Sequence, residues 1–254
     1  MNSKITFLVW DLPVRLFHWL FTFFFALSAG AIYLFEHNNT ALVYHALFGL
    51  IVGFMVLLRI VWGVIGTKHA KFSSFAFPVS DVLKYFFGVL TGTGKNHAGH
   101  NPGSAYAIFA MLILSLGLAV TGIMMGRGYD DLKHFHEFLS NAMMLIVFGH
   151  IIGVLIHTKR FKENITASMI HGMKETDPEQ SINSSKPIIA LIFLALIAAW
   201  TWGIFTNYDS ASKTTTLPML GAVISLDGEN ERGEGGWYRG NDDWGHDDDD
   251  DDDD

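Results

Sequence analysis

The chain has 254 residues, half of them hydrophobic and only 17% charged, with 21 Phe and 7 Trp. This composition and the positive mean hydropathy are typical of a membrane protein. The absence of cysteine excludes disulfides, iron–sulfur clusters, covalently attached haem c and cysteine-based zinc sites. The formal net charge is −8, and the run Asp247–Asp254 alone carries eight negative charges, so no basic face for nucleic acid is indicated.

Five apolar stretches are each long enough to cross a bilayer, which takes about 20 helical residues. They are Leu16–Phe35, Ala41–Ile65, Ala105–Met125, His134–His157 and Pro187–Phe205. Short loops make neighbouring helices antiparallel, so we predict an all-α membrane protein with a four-helix transmembrane bundle and a fifth, C-terminal transmembrane helix. A cleaved signal peptide is a weaker interpretation of the first stretch, because Asp11 and Pro13 precede it and His18 interrupts it.

The segments outside these stretches have a weaker pattern. Residues 80–90 are predicted to form a short helix that lies in the membrane interface or packs on the bundle surface. Residues from Tyr208 onward lack helical or strand periodicity and are predicted to be mostly disordered. We therefore divide the chain into a transmembrane domain (1–175), a linker with the fifth helix (176–206) and an acidic tail (207–254).

Lysine and arginine are concentrated on one side of the predicted bundle. The segments 66–103 and 158–186 carry most of them and lie on the same side as the N-terminus, whereas the opposite loops have only Arg127 and Lys133. The positive-inside rule predicts a cytoplasmic N-terminus. Five crossings then place the C-terminal tail in the periplasm of a bacterial inner membrane.

Four histidines within the apolar stretches occur at matching depths. His136 and His150 are fourteen residues apart, which is nearly four helical turns and ~21 Å along one face. His45 can meet His136 near the outer side, and His18 can meet His150 nearer the cytoplasm. Two imidazoles from different helices are the axial ligands of a six-coordinate haem iron, whereas zinc needs three or four ligands at one level. The pattern therefore indicates haem.

Two further histidines belong to the fourth stretch. His157 follows His150 by seven residues on nearly the same face, and it is a rival partner for His18. His134 points away from this face and is expected at the helix end. The spacing alone leaves the choice between His150 and His157 open.

Three other residues are candidates for cofactor binding. Arg59 repeats the fourteen-residue spacing after His45, and an arginine buried in a membrane needs an anionic partner such as a haem propionate. Arg15, one turn before His18, could act likewise or simply extend to the interface. Gly49, one turn after His45, would leave room for a flat macrocycle.

These motifs together resemble a known family. Residues 9–19 (VWDLPVRLFHW) are similar to the start of bacterial cytochromes b of the cytochrome b-561 and nickel–iron hydrogenase group. The pattern His45-x-x-x-Gly49 with Arg59, the run of residues 99–103 (GHNPG), and His136-Glu137 with His150 resemble the same family. The similarity covers about residues 7–175.

The resemblance implies a di-haem bundle with two haems b, one on His45 and His136 and the other on His18 and His150. It thereby favours His150 over His157. It also implies transmembrane electron transfer between membrane quinone and a redox partner, such as a hydrogenase, another periplasmic reductase, a cytochrome c or superoxide. It does not explain the fifth helix or the aspartate run, and it leaves the oligomeric state open, with a homodimer as one option.

A different interpretation is a membrane metal-binding or transport protein. His97-x-x-His100, His246 and the aspartate run supply candidate ligands, and carboxylates suit calcium and similar cations. A solvated acidic tail explains the aspartate run more simply, because eight like charges repel one another. No acid–base or nucleophilic arrangement is evident, so no catalysis beyond redox chemistry is predicted.

Overall fold

In a computed structural model of the chain, residues 5–35, 39–91, 93 and 99–227 are described. They form seven α-helices, three short 3₁₀ turns and two small antiparallel sheets. In chain order the helices and strands are β1 (Thr6–Leu8), α1 (Leu12–Leu34), α2 (Asn39–Ile65), α3 (Val79–Thr91), α4 (Pro102–Met125), α5 (Lys133–Phe161), α6 (Ile165–His171), β2 (Met173–Glu175), α7 (Pro187–Thr206), β3 (Tyr208–Asp209), β4 (Thr214–Thr216) and β5 (Val223–Ser225).

Five of the described helices (α1, α2, α4, α5 and α7) are long and apolar enough to cross a membrane. The predicted all-α membrane fold with five transmembrane helices is confirmed.

Two helices begin a few residues before their apolar stretches, because polar residues cap them. Asp11 accepts a hydrogen bond from Val14 N at 2.9 Å, and Asn101 accepts one from Ser104 N at 2.8 Å. A proline in the first turn of each helix has no N–H to leave unsatisfied.

The bundle is built from two helical hairpins. α1 packs against α2, α4 packs against α5, and α2 also packs against α4 and α7. Among the described residues, α5 makes no comparable backbone contact with α1 or α2. A gap therefore separates α5 from the first hairpin, and His45 of α2 and His136 of α5 face each other across it.

α3 forms where the sequence predicts a short helix. It exposes Leu83, Phe86 and Phe87, the last of them by 68%. The Arg160 guanidinium of α5 donates to the carbonyls of Gly88 and Val89 at 2.8 and 2.9 Å, which ties the end of α3 to the bundle. The exposed phenyl rings fit a helix that lies in the membrane interface.

One end of the bundle, which we call the N-terminal end, carries β1. This strand pairs with β2 so that Phe7 lies opposite Lys174. The carbonyl of Gly172 accepts hydrogen bonds from Val9 N and Trp10 N at 2.9 and 3.1 Å. The segment after α5 thus returns to cover the start of α1.

The opposite end carries the sheet of β3, β4 and β5, in that order. We call residues 207–227 the β-cap. The prediction that the chain is mostly disordered from Tyr208 onward is wrong for these residues. Their strands have only two or three residues, which is too short for an alternating pattern to show in the sequence. Residues 228–254, including the aspartate run, lie outside the described residues.

Candidate functional site

His45 of α2 and His136 of α5 face each other across the gap. Their ring centres are 6.1 Å apart, and the ring planes are inclined by 82°. An imidazole nitrogen bound to a transition metal lies about 2 Å from it, so two rings on opposite sides of one metal ion have centres about 6 Å apart. The spacing of the two rings therefore fits a single metal ion held between them.

Hydrogen bonds orient both imidazoles. His45 Nδ1 donates to the carbonyl of Ser28 at 3.0 Å, while the Ser28 hydroxyl donates to the carbonyl of His45 at 2.9 Å. His136 Nδ1 lies 2.7 Å from Thr121 Oγ1, whose own proton goes to the carbonyl of Gly117 at 2.8 Å. With Nδ1 protonated in both rings, Nε2 keeps its lone pair for a metal.

A cavity of about 430 Å³ surrounds this pair. That volume lies within the range of pockets that hold small ligands and cofactors. Gly49 and Gly122 form part of the wall, and a Cβ on Gly122 would lie 3.7 Å from His136 Cε1. Most other wall residues are apolar, among them Phe25, Leu50, Leu118, Met143 and Met144.

His18 of α1 and His150 of α5 form the second predicted pair. Their side chains are close enough to interact electrostatically. His18 Nδ1 is buried without a hydrogen-bond partner among the described residues. The rival His157 is 4% exposed, and its Nε2 lies 3.6 Å from Glu163 Oε2. The other carboxylate oxygen, Oε1, pairs with Lys174 Nζ at 3.7 Å. The structure thus gives His157 a carboxylate neighbour within the protein.

The two candidate arginines each keep an unpaired buried nitrogen. Arg15 Nη1 donates to the carbonyl of Ile170 at 2.6 Å, and its Nε has no partner among the described residues. Arg59 is 4% exposed; its Nη2 donates to the carbonyl of Ala70 at 3.2 Å, and its Nη1 is unpaired within the described residues. Unpaired buried N–H groups are rare, and a carboxylate would satisfy them.

The motif at residues 99–103 serves chiefly to begin α4. Its His100 ring lies 4.7 Å from the Trp10 ring and 4.5 Å from the Phe75 ring. Burial, and secondarily the charge of Arg59, lower the pKa of His100 to about 3. This histidine is therefore neutral, although it is next to cations.

We expect His100 to make the N-terminal end sensitive to acid. Its folded pKa lies below the unfolded value of about 6.5, so its contribution is complete above pH 6.5 and is lost as the pH falls from there towards 3. The free energy of unfolding should drop by at most about 1.4 kcal/mol per pH unit from this group. Melting temperatures in detergent at pH 7.5 and 5.0 measure the effect.

The His100→Phe variant keeps an aromatic ring between Trp10 and Phe75 but cannot take up a proton. It should show a smaller loss of melting temperature on acidification than the unaltered chain. His134→Phe is the control, because the His134 side chain is 95% exposed. Equal acid sensitivity in all three proteins would contradict the prediction.

The alternative metal-binding interpretation gains no support within the described residues, where no group of three or more histidine or acidic side chains could hold a metal ion. His97, His246 and the aspartate run lie outside that part of the chain.

His134, expected at the helix end, is exposed at the start of α5. Its Nδ1 lies 3.4 Å from Glu137 Oε2.

Thr121 was not identified from the sequence, because small polar residues are common in the contacts between membrane helices. If it orients His136 for metal binding, Thr121→Val should weaken cofactor retention by about 10–100-fold, as is typical when the hydrogen-bond partner of a ligating histidine is lost. Competition with an apo-haemoprotein that takes up released cofactor measures the change. Thr121→Ser keeps the hydroxyl and should behave like the unaltered chain; equal loss in both variants would refute this role.

Helices that cross a membrane, with facing histidines beside a mostly apolar cavity, define a membrane protein suited to hold a metal-containing cofactor. A family model described as prokaryotic cytochrome b561 matches residues 9–172, and the chain belongs to that family. It is accordingly a multi-pass protein of the bacterial inner membrane that carries haem b and takes part in membrane electron transfer.

The curated relatives are distant and cover about two thirds of the chain. The probable Ni/Fe-hydrogenase 1 B-type cytochrome subunit of Escherichia coli (strain K12) is 25% identical over 221 residues, which cover 68% of this chain and 92% of that protein. The probable Ni/Fe-hydrogenase B-type cytochrome subunit of Bradyrhizobium diazoefficiens is 24% identical over 217 residues, covering 68% and 87%. No solved structure gives a significant match.

Proposed function

We propose that the chain transfers electrons between the membrane quinone pool and a redox partner through two haems b. His45 and His136 hold one haem, and His18 and His150 hold the other. The observation that carries this proposal is the 6.1 Å separation of the His45 and His136 rings, both with Nδ1 engaged and Nε2 left for a metal.

Bound haem supplies a one-electron iron couple. The chain's own residues determine how it is held. Ser28 and Thr121 fix the orientation of the two imidazoles, and the walls of the cavity are mostly apolar. Because two histidines would hold the haem iron, no ligand position would remain for oxygen, which suits electron transfer.

His150 is the better partner for His18 than His157. Nε2 of His157 is next to Glu163 in a cluster that also contains Lys174, whereas His150 is close enough to His18 to interact with it electrostatically. Arg59 and Arg15 retain one unpaired buried nitrogen each and would receive haem propionates. Gly49, in the wall of the cavity, would allow the macrocycle to approach α2.

The redox partner and the orientation of the chain in the membrane are inferred from different observations. Both curated relatives described above are named as hydrogenase subunits, which makes a nickel–iron hydrogenase the first partner to test. The lysine-rich loops lie at the N-terminal end, so we place this end in the cytoplasm and the β-cap in the periplasm. A homodimer is a further option for the assembly.

The experiment is reduction of the purified full-length protein in detergent by a soluble quinol. We expect a reduced spectrum with a b-type α band, two haems per chain, and an absorbance change that appears on quinol addition. A spectrum without this band would refute the cytochrome function. Bands that dithionite reduces but quinol does not would refute the quinone link alone. Co-purification of a hydrogenase subunit with the tagged chain tests the partner.

A further inference from the structure

The β-cap lies at the mouth of the cavity around His45 and His136. Three consecutive residues, Ile224 and Ser225 of its last strand and Leu226 directly after it, line the same cavity as the two histidines. The family match ends at residue 172, so family membership does not explain α7 and the β-cap. The chain thus places a segment from outside the matched region against the candidate cofactor site.

A close backbone contact attaches the β-cap to the end of α4. Ser225 N donates to the carbonyl of Gly126 at 2.8 Å. A Cβ on Gly126 would lie 2.6 Å from the carbonyl oxygen of Ser225 and 3.3 Å from Ile224 Cβ. Glycine at this position therefore lets the cap reach the cavity, since any side chain would push the strand away.

The β-cap is also attached to α7 and to itself. Thr215 Oγ1 donates to the carbonyl of Ile204 at 2.9 Å, and Asn207 Nδ2 donates to the carbonyl of Thr216 at 3.0 Å. Lys213 Nζ lies 3.0 Å from Asp227 Oδ2 across the sheet.

The apolar side of the β-cap faces inward. Leu217, Ile224 and Leu226 are each 2–3% exposed and belong to the main hydrophobic core. The neighbouring Val223 lies on the opposite face and is 58% exposed. This alternation is the pattern of a sheet that is packed on one side and exposed on the other. The β-cap is therefore a packed part of the fold.

We propose that the β-cap forms one wall of the haem pocket at His45 and His136. Its residues Ile224 and Leu226 shield the haem from water. The inference rests on the proposed function, since it assumes haem at this pair. Ferric haem carries one more positive charge than ferrous haem, and apolar surroundings disfavour the more charged form. An intact cap therefore raises the midpoint potential of this haem, and an opened cap lowers it.

The test is a potentiometric titration of the full-length protein with Ile224→Asn, compared with Val223→Asn on the exposed face of the same strand. We expect Ile224→Asn to lower the potential of one haem by about 59 mV, a tenfold change in its one-electron equilibrium constant. The other haem and the Val223→Asn protein should be unchanged. The His45→Ala variant identifies which of the two haems is affected.

Two truncations make the test independent of how Ile224→Asn folds. A chain that ends at Asp227 keeps the β-cap and should titrate like the full-length protein, whereas one that ends at Asn207 lacks it. The chain that ends at Asn207 should show the same lowered potential for the haem at His45 and His136, or should lose that haem. Either result supports the β-cap as a wall of this pocket.

The failures of the two proposals can be distinguished. If the full-length chain binds no haem, or if His45→Ala leaves both haems in place, the haem assignment fails. If haem is bound at His45 and His136 but neither Ile224→Asn nor removal of residues 208–254 changes its potential or its retention, the β-cap is not part of the pocket.

Discussion

Replacing His45 with alanine should halve the haem content, from two haems per chain to one. His45 is the only ligand that α2 would contribute to its pair, and the remaining His136 could hold the iron from one side only. His136→Ala should have the same effect, because the rings of the two residues face each other at 6.1 Å. The haem-to-protein ratio of the purified variants, measured by the pyridine haemochrome assay, gives the result.

The same assay decides between the rival ligands of the second pair. His18→Ala and His150→Ala should each remove the other haem, while His157→Ala should keep both, since His157 is placed beside Glu163. His134→Ala is the matched control on α5, because this histidine is fully outside the cavity and 95% exposed. Two haems in the His150→Ala protein and one in the His157→Ala protein would reverse the assignment.

Replacing Asp11 with alanine should destabilise the bundle by about 3 kcal/mol, since it removes a helix cap and two hydrogen bonds to a buried carboxylate. Asp11 is 1% exposed. It accepts from Val14 N at 2.9 Å, from Trp62 Nε1 at 3.0 Å and from Thr67 Oγ1 at 2.5 Å. It therefore connects the start of α1 to the end of α2. Reversible unfolding in mixed micelles with increasing denaturing detergent measures the loss.

Asp81→Ala is the control for this variant. Asp81 pairs with Lys84 at 3.3 Å on the exposed side of α3, where an ion pair contributes little. Asp11→Asn keeps the cap acceptor but loses the charge, so its stability should lie between that of Asp11→Ala and that of the unaltered chain. Equal losses in Asp11→Ala and Asp81→Ala would show that the Asp11 network contributes nothing beyond a surface pair.

The transmembrane helices could be predicted from the sequence because bilayer thickness imposes a length and a composition that few other segments share. The facing of His45 and His136 could be predicted because both lie near the start of spans that begin on the same side of the membrane, so their depths match. The histidine that pairs with His18 was harder to predict, since His150 and His157 lie on the same face of α5. The carboxylate that distinguishes them, Glu163, lies beyond the end of α5, where periodicity no longer applies.

Other features depended on contacts that no local pattern encodes. The role of Asp11 in connecting α1 to α2 was not evident, because its partners Trp62 and Thr67 lie more than fifty residues away. Thr121 resembles any small polar residue in a membrane helix. The β-cap was missed because its strands are too short for periodicity, and its packing depends on Gly126, a hundred residues earlier.

The gap between α5 and the first hairpin has a consequence for how this protein matures. α1 and α2 can pack together as soon as they enter the membrane, and so can α4 and α5, since each hairpin is held by its own contacts. The two hairpins meet mainly through α2 and α4, so α5 has little contact with the first hairpin within the described residues. If the proposed haem lies between His45 and His136, its insertion would connect α5 to the first hairpin, and a chain without haem would lack that connection.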